Sequence, residues 1–122
     1  MSVRLGSDVR LRTRDQFTAV QNEGKRVATR YLTVLALPNA LDHDRLGVIA
    51  SRRLGGAVLR NRAKRRIRAL FRLQEPDRAR ARQVRPLDLV VIPKREFADA
   101  PYAVIERDFL AALARLDRSR HI

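Results

Sequence analysis

The chain has 122 residues, of which 45% are hydrophobic and 33% charged, and its formal net charge at pH 7 is +14. This length fits one domain with a modest core, and the hydrophobic fraction excludes simple disorder. The absence of cysteine excludes disulfides and thiolate metal sites, which is consistent with a cytoplasmic protein. No apolar run reaches the roughly 18 residues of a membrane span and no secretory h-region is present, so membrane association is not expected.

Arginine accounts for 24 of the 27 basic residues, because lysine occurs only at positions 25, 64 and 94. The planar guanidinium pairs with phosphate and stacks on bases, so this bias suits a nucleic-acid partner. A GC-rich genome would produce the same bias, and composition alone leaves both explanations open.

Hydrophobic periodicity and turn residues predict six elements in the order helix, strand, strand, helix, strand, helix. They are a helix over 14–23, strands over 31–37 and 45–50, a basic helix within Leu54–Arg72, a strand over 87–92 and a helix over 101–116. Thr13 is expected to cap the first helix and Gly24 to end it. Lys25, Arg26 and Arg30 are expected to flank the turn that follows.

The basic helix is the most unusual stretch. It contains seven cations and no acid: Arg60, Arg62, Lys64, Arg65, Arg66, Arg68 and Arg72. Helical spacing places Ala63, Ile67, Leu70 and Phe71 on a buried stripe and most of the charges on the opposite face. Folding therefore gathers like charges, which favours a polyanionic partner. A solvated charged face is the simpler alternative, but such faces usually mix both signs.

The element order predicts a single α+β domain over residues 1–122, an α/β sandwich with a small mixed sheet of about four strands and helices mainly on one face. Residues 1–10 and 117–122 are expected to be flexible, and residues 75–85 to form a helix tail and loop. The basic helix joins two strands as a β–α–β crossover, for which the general rule predicts a right-handed connection.

No protein active site is evident in the sequence. His43 with Asp42 and Asp44 could ligate a metal, but adjacent loop residues more often form a polar turn, and Ser51 has no identifiable base. The remaining acids are scattered, so the balance favours binding over protein-based catalysis. Phe17 and Tyr31 stand near Arg12, Arg14 and Arg30, a pattern typical of single-stranded nucleic-acid binding, although core packing is equally expected for Phe17.

The run Ala57-Val58-Leu59-Arg60-Asn61-Arg62-Ala63-Lys64-Arg65-Arg66-Ile67-Arg68 resembles the signature of the protein subunit of bacterial ribonuclease P. The resemblance extends over about residues 11–116, through matching positions in the first helix, the strands and the C-terminal helix. It implies an α/β sandwich whose β–α–β crossover is left-handed, which replaces the right-handed expectation. It also implies a catalytic RNA partner that removes the 5′ leader of precursor tRNA with Mg²⁺, no catalytic or metal-binding residue in the protein, and no obligate protein partner.

The resemblance also implies two sets of site residues. The catalytic RNA would contact Arg60, Asn61, Arg62, Lys64, Arg65, Arg68 and Arg72. The leader would lie in a cleft bordered by Arg12, Phe17, Gln21, Arg30, Tyr31, Arg52 and Arg53. Two positions depart from the family pattern: Gln21 replaces a frequent aromatic, and Ala63 replaces a larger aliphatic residue, which predicts lighter packing beneath the basic helix.

Three other functions remain open at the level of sequence. A ribosomal or other structural RNA-binding protein would share the size and charge. A DNA-binding module would use Leu54–Arg72 as a recognition helix and prefer duplex DNA. A nuclease in its own right would cleave precursor tRNA without any RNA subunit.

Overall fold

The computed structural model describes residues 9–80 and 85–119, without the side chains of 75–80 and 118–119. The helices are α1 (Arg14–Glu23), α2 (Ala57–Arg80) and α3 (Tyr102–Ser119); the strands are β1 (Lys25–Ala28), β2 (Leu32–Pro38), β3 (Arg45–Val48) and β4 (Leu87–Pro93). Short 3₁₀ turns cover Arg52–Leu54 and Arg95–Asp99. These elements confirm the predicted α+β class.

The four strands form one mixed sheet in the order β1-β2-β4-β3. β2 is antiparallel to both β1 and β4, whereas β3 and β4 run parallel and are joined through α2. The predicted β–α–β unit is therefore present, and the left hand of its crossover stays a prediction from the resemblance. The prediction missed β1, because its four residues bury only Val27 and give no readable alternation.

Strand alternation sends side chains to two different layers. Leu32, Val34 and Ala36 of β2 face the main core, which they share with the buried stripes of α2 and α3. Leu35 of β2 and Val90 of β4 face the other way and form a smaller cluster with α1. Two helices thus cover one face of the sheet, and α1 covers part of the other.

α2 begins after the turn predicted at Gly55 and Gly56, and it ends beyond Arg72. Gly55 adopts a φ of 140°, a conformation that L side chains rarely reach, so the preceding 3₁₀ turn stops there and the helix starts at Ala57. The helix continues past Arg72 to Arg80, through part of the segment expected to be a tail and loop. The predicted buried stripe is confirmed, since Ala63, Ile67, Leu70 and Phe71 are all at most 3% exposed.

Helical spacing predicts a buried stripe on α3 of Val104, Ile105, Phe109, Leu110, Leu113 and Leu116, and the structure departs from it at Leu110 and, in part, at the half-buried Val104. Ile105, Phe109, Leu113 and Leu116 are buried as predicted, but Leu110 is 38% exposed. At 100° per residue, Leu110 points well away from the stripe that Ile105 and Phe109 define.

The ends of the chain are more ordered than predicted where the structure describes them. Arg10 pairs with Leu46 on the free edge of β3, and α3 continues to Ser119 instead of stopping at residue 116. The remaining terminal residues of that prediction, 1–8 and 120–122, lie outside the described residues.

Gly24 follows α1 as predicted but works differently from the expected left-handed cap. Its backbone is extended, with φ −74° and ψ 157°. A Cβ at this position would lie 2.9 Å from the carbonyl oxygen of Ala36 and closer still to that of Val20. The glycine therefore permits a close approach between the end of α1 and β2.

Candidate nucleic-acid interface

α2 carries the predicted RNA-binding residues on its exposed surface and its flanks. Asn61, Arg62, Arg65 and Arg72 are exposed, and Arg60, Lys64 and Arg68 are half-buried. No acidic side chain occurs among residues 57–74, the part of α2 with described side chains. This surface therefore presents a high density of positive charge, which attracts a polyanion.

One flank of α2 faces the segment before α3. Arg66 donates from Nη1 to the carbonyl oxygen of Ala100 at 3.3 Å. Burial, and after it the positive charge of Arg62, lowers the pKa of Arg66. Arg66 was not among the predicted site residues, and its bond to Ala100 indicates that it fixes the helix as well as adding charge.

The other flank of α2 faces the N-terminal segment. The backbone N–H of Leu11 donates to the carbonyl oxygen of Leu46 at 2.9 Å and draws this segment along β3. Burial, and after it the charge of Arg10, lowers the pKa of Arg68, so the two cations are near each other. The Nε atoms of Arg10 and Arg60 are buried and lack a hydrogen-bond partner within the described ranges.

Arg10 is thus a candidate interface residue that the sequence prediction missed. The prediction assigned residues 1–10 to a flexible arm and so gave Arg10 no fixed position. The available signal was its place between Val9 and Leu11, because apolar residues on both sides of a cation indicate a segment that packs.

Phe17 lies on the opposite side of the sheet and packs directly against the backbone of Gly47. A Cβ on Gly47 would be 2.6 Å from Cζ of Phe17, which leaves no room for a side chain there. The ring also contacts the cluster formed by Leu11, Val20, Leu35 and Val90, yet Phe17 remains half-buried. The two expectations for Phe17 are therefore compatible: part of the ring packs and part stays accessible.

The start of α1 is fixed by a capping box. Thr13 Oγ1 accepts from the Gln16 N–H, and the Gln16 side chain accepts from the N–H groups of Thr13 and, at 2.7 Å, Arg12. The Arg12 side chain is exposed at this end, and Gln21 is exposed one turn after Phe17. Both could reach a ligand that lies along α1.

Arg30 and Tyr31 lie at a different place from Phe17. The Arg30 guanidinium is over the Tyr31 ring, 5.4 Å from its centroid, and Tyr31 packs against the main core. Gly47, beside Phe17, pairs with Val90 of β4, whereas the Tyr31 carbonyl oxygen accepts from the N–H of Lys94. Val90 and Lys94 are four residues apart, which is about 13 Å at 3.3 Å per residue. The predicted leader-side residues therefore form an extended track and not one pocket.

A basic groove lies along this track. It has a volume of about 460 Å³ and is lined by Ser51, Arg53, Ile92, Pro93, Lys94 and Arg95. Ile92 and Phe17 both pack against the smaller cluster, so the groove and the aromatic ring lie on the same face of the sheet. We call this surface, from Phe17 through Ile92 to Lys94, the sheet groove.

The lining of the sheet groove differs from the set of residues predicted to border the leader. Arg53 lines it as predicted, whereas Arg52 is exposed but is not one of the lining residues. Lys94 and Arg95 were missed, although a pair of cations directly after a buried strand was a readable signal. A groove with three cations, one hydroxyl and an apolar floor suits a single-stranded nucleic acid.

The loop around His43 does not form a metal site. His43 Nδ1 lies 2.8 Å from Asp42 Oδ1, while Asp44 is buried and accepts from the Leu87 N–H at 2.7 Å. Across residues 9–80 and 85–119, no three His, Asp or Glu side chains converge as a metal site would require. The helices in those ranges also include none that is long and apolar enough to cross a membrane.

Comparison with known proteins agrees with this geometry. The family model for ribonuclease P matches residues 5–117. The ribonuclease P protein component of Syntrophus aciditrophicus is 37% identical over 106 residues, which cover 87% of this chain and 85% of that protein. The corresponding component of Thermotoga maritima is 35% identical and covers 88% of this chain and 92% of its own.

Solved structures lead to the same family. The RNase P protein of Staphylococcus aureus matches with a TM-score of 0.75 and 29% identity, over 89% of this chain and 97% of that one. The RNase P protein of Thermotoga maritima matches with a TM-score of 0.71 and 30% identity, over 89% and 96% of the two chains. A fold, a cationic helix and a sequence that all match the same proteins leave one assignment: the chain belongs to the family of ribonuclease P protein components.

Proposed function

We propose that this chain binds a large catalytic RNA through α2 and the 5′ leader of precursor tRNA through the sheet groove. In this role it assists the endonucleolytic removal of the leader in the cytoplasm. The observation that carries the proposal is the concentration of positive charge on residues 57–74 of α2, which include seven cations and no acid. Such a surface gains most from a dense array of phosphates.

The division of labour follows from the two faces of the sheet. α2 is anchored to the core by its buried stripe from Ala63 to Phe71, and seven cations lie within residues 57–74. This suits the backbone of a folded RNA. The sheet groove combines Phe17 and Ile92 with Arg53 and Lys94, and this mixture of stacking surface and cations suits an unpaired strand.

The chemistry is assigned to the RNA subunit. Mg²⁺ needs oxygen ligands, and the side chains around both surfaces are mainly cations that repel it. The residues present therefore do not fit a magnesium site in the protein. We infer that the RNA and the substrate phosphates hold the ions, and that the protein contributes affinity and position.

Reconstitution with a bacterial ribonuclease P RNA tests the proposal. At low Mg²⁺, adding the protein should raise kcat/KM for leader removal from precursor tRNA, and the protein alone should cleave nothing. Cleavage by the protein without RNA would contradict the assignment of the chemistry. A pull-down that enriched ribosomal RNA instead of this RNA would favour the structural RNA-binding alternative.

A matched pair of variants tests the role of α2. Lys64→Ala with Arg68→Ala should weaken binding of the RNA subunit and reduce the salt slope by about 1 for each lost phosphate contact. Arg107→Ala with Arg115→Ala removes the same charge from exposed positions on α3 and serves as the control. Equal losses in both pairs would mean that net charge, and not the α2 surface, controls binding.

A further inference from the structure

The turn that presents Arg30 is closed by its own backbone. Between β1 and β2, the N–H of Thr29 donates to the Leu32 carbonyl oxygen at 2.8 Å. The N–H of Leu32 donates back to Thr29 Oγ1 at 3.2 Å. Arg30 and Tyr31 are the two residues between these ends. We call residues 29–32 the presenting turn.

β4 ties the presenting turn to the sheet groove. The backbone N–H of Lys94 donates to the Tyr31 carbonyl oxygen at 2.8 Å, and Lys94 Nζ donates to the Thr29 carbonyl oxygen at 2.5 Å. Lys94 also lines the groove. One residue therefore fixes the distance between the groove and the presenting turn.

α3 supplies a second tie through a carboxylate. Thr29 Oγ1 lies within hydrogen-bonding distance of Asp108 Oδ2 and 2.9 Å from the Leu32 carbonyl oxygen. A hydroxyl has one proton, and a carboxylate is the stronger acceptor. The Leu32 carbonyl already receives the Thr29 N–H, so the hydroxyl proton goes to Asp108.

We propose that Asp108, acting through Thr29 and together with Lys94, is a positioning residue that holds Arg30 and Tyr31 at the end of the sheet groove for the leader strand. The inference rests on the proposed function and adds residues that no resemblance or comparison assigns. Asp108 lies 79 positions from Thr29 in sequence, so no local pattern reveals the contact.

The position of the turn matters because the Arg30 side chain that it presents is long and exposed. The Arg30 side chain is in solvent, where an unrestrained guanidinium samples many rotamers. Its placement over the Tyr31 ring is defined only if the backbone of both residues is fixed. Fixing the turn before binding lowers the ordering cost that a phosphate contact must overcome.

The test compares precursor and mature tRNA binding by the reconstituted holoenzyme. Asp108→Ala and Thr29→Val should each lower the affinity for precursor tRNA about 3- to 10-fold and leave mature tRNA binding unchanged. The double variant should lose no more than either single one, because both break the same contact. Asp108→Asn should retain affinity within about twofold, since its amide oxygen still accepts from Thr29.

A control on the same helix separates position from charge. Glu106→Ala removes the same charge from α3 without touching the presenting turn, so its precursor-to-mature ratio should equal that of the unmodified chain. If Glu106→Ala and Asp108→Ala changed the ratio equally, the effect would be electrostatic and the inference would be wrong.

The remaining outcomes separate this inference from the proposed function. If Arg30→Ala lowers the ratio but Asp108→Ala does not, the positioning role is overturned and the leader contact stands. If neither Arg30→Ala nor Tyr31→Ala changes the ratio, the leader contact itself fails and the inference fails with it. A parallel loss of precursor binding, RNA-subunit binding and urea midpoint in Asp108→Ala would show a purely structural role and also overturn it.

Discussion

Phe17 shows how a single side chain can serve the core and a binding surface together. Helical spacing alone left its role open, because position 17 lies at the edge of the α1 stripe. The structure explains the ambiguity: the ring packs on Gly47 and the Leu35–Val90 cluster, but remains half-buried. Because Phe17 is partly packed and partly accessible, its sequence position was compatible with either role.

The aromatic character of Phe17 should matter for the leader and not for mature tRNA. Phe17→Ala should weaken precursor tRNA binding by about 1–3 kcal/mol, the range for one stacked base, and leave mature tRNA binding unchanged. Phe17→Leu keeps much of the apolar packing and loses the ring, so it should lose precursor affinity with a smaller loss of stability. Affinities for both tRNAs and urea midpoints check this, and equal losses for the two tRNAs would contradict it.

Substitution of Gly47 should affect precursor tRNA binding as strongly as substitution of Phe17, whose ring packs on it. In Gly47→Ala, the new Cβ would lie 3.2 Å from Leu11 Cβ and too near the Phe17 ring, which must move outward. We expect weaker precursor tRNA binding and a free energy of unfolding lower by about 1–3 kcal/mol, as for other overpacked sites.

A double variant tests whether the ring is the cause. With Phe17→Ala present, Gly47→Ala no longer meets a ring, so its additional effect on precursor binding should be near zero. Full additivity in this cycle would place the effect of Gly47 elsewhere.

At the scale of elements, the central helix was the most predictable part of the chain. Its stripe from Ala63 to Phe71 can be read from spacing and is confirmed, and its start follows the turn predicted at Gly55 and Gly56. Its end at Arg80 could not be read, because the extension past Arg72 has no apolar periodicity.

The sheet was less predictable for a different reason. β2 and β4 are apolar runs that pairing buries on both faces, so their existence was clear from sequence. β1 is short and mostly exposed, and its pairing with β2 is a tertiary contact. For the same reason the contacts that Lys94 and Asp108 make with Thr29 escaped prediction, because Thr29 is distant from both in sequence.

Ala63 is tightly packed beneath α2 although its side chain is small. It is 3% exposed, and the shallow depression that it shares with Leu59, Phe97 and Ala98 has no room for a water molecule. Ala63→Ile should therefore overpack this contact and lower the free energy of unfolding by about 1–3 kcal/mol. Urea unfolding measures the change.

Ala69 offers the matched control for that experiment. It is half-buried on the same helix and does not line the depression. Ala69→Ile should therefore cost only the small loss in helix propensity. An equal or higher urea midpoint for Ala63→Ile than for the unmodified chain would contradict the tight packing.

At the scale of the whole molecule, the dominant fact is a net charge of +14 on 122 residues. The fold does not neutralise this charge internally. Arg45 and Asp88 form a close ion pair at 2.7 Å, but Arg10 and Arg68 lie near enough for the charge of Arg10, after burial, to lower the pKa of Arg68. The free chain thus carries repulsion that a bound polyanion would relieve.

Stability should therefore rise with salt, in contrast to proteins held together by surface ion pairs. At matched ionic strength, phosphate should raise the urea midpoint more than chloride, because a multivalent anion can occupy the space between guanidinium groups. Circular dichroism across a urea titration measures both midpoints. A midpoint that falls with added chloride would mean that attractive pairs outweigh the repulsion.

The N-terminal segment has a consequence for how copies of this protein behave beside one another. β3 is the outer strand of the sheet, and an outer strand with free N–H and C=O groups can recruit the same strand from another molecule. The pairing of Arg10 and Leu11 with Leu46 occupies that edge and puts a cation beside it. The segment around Arg10 and Leu11 thus also covers part of an edge through which copies of the protein could pair before RNA is bound.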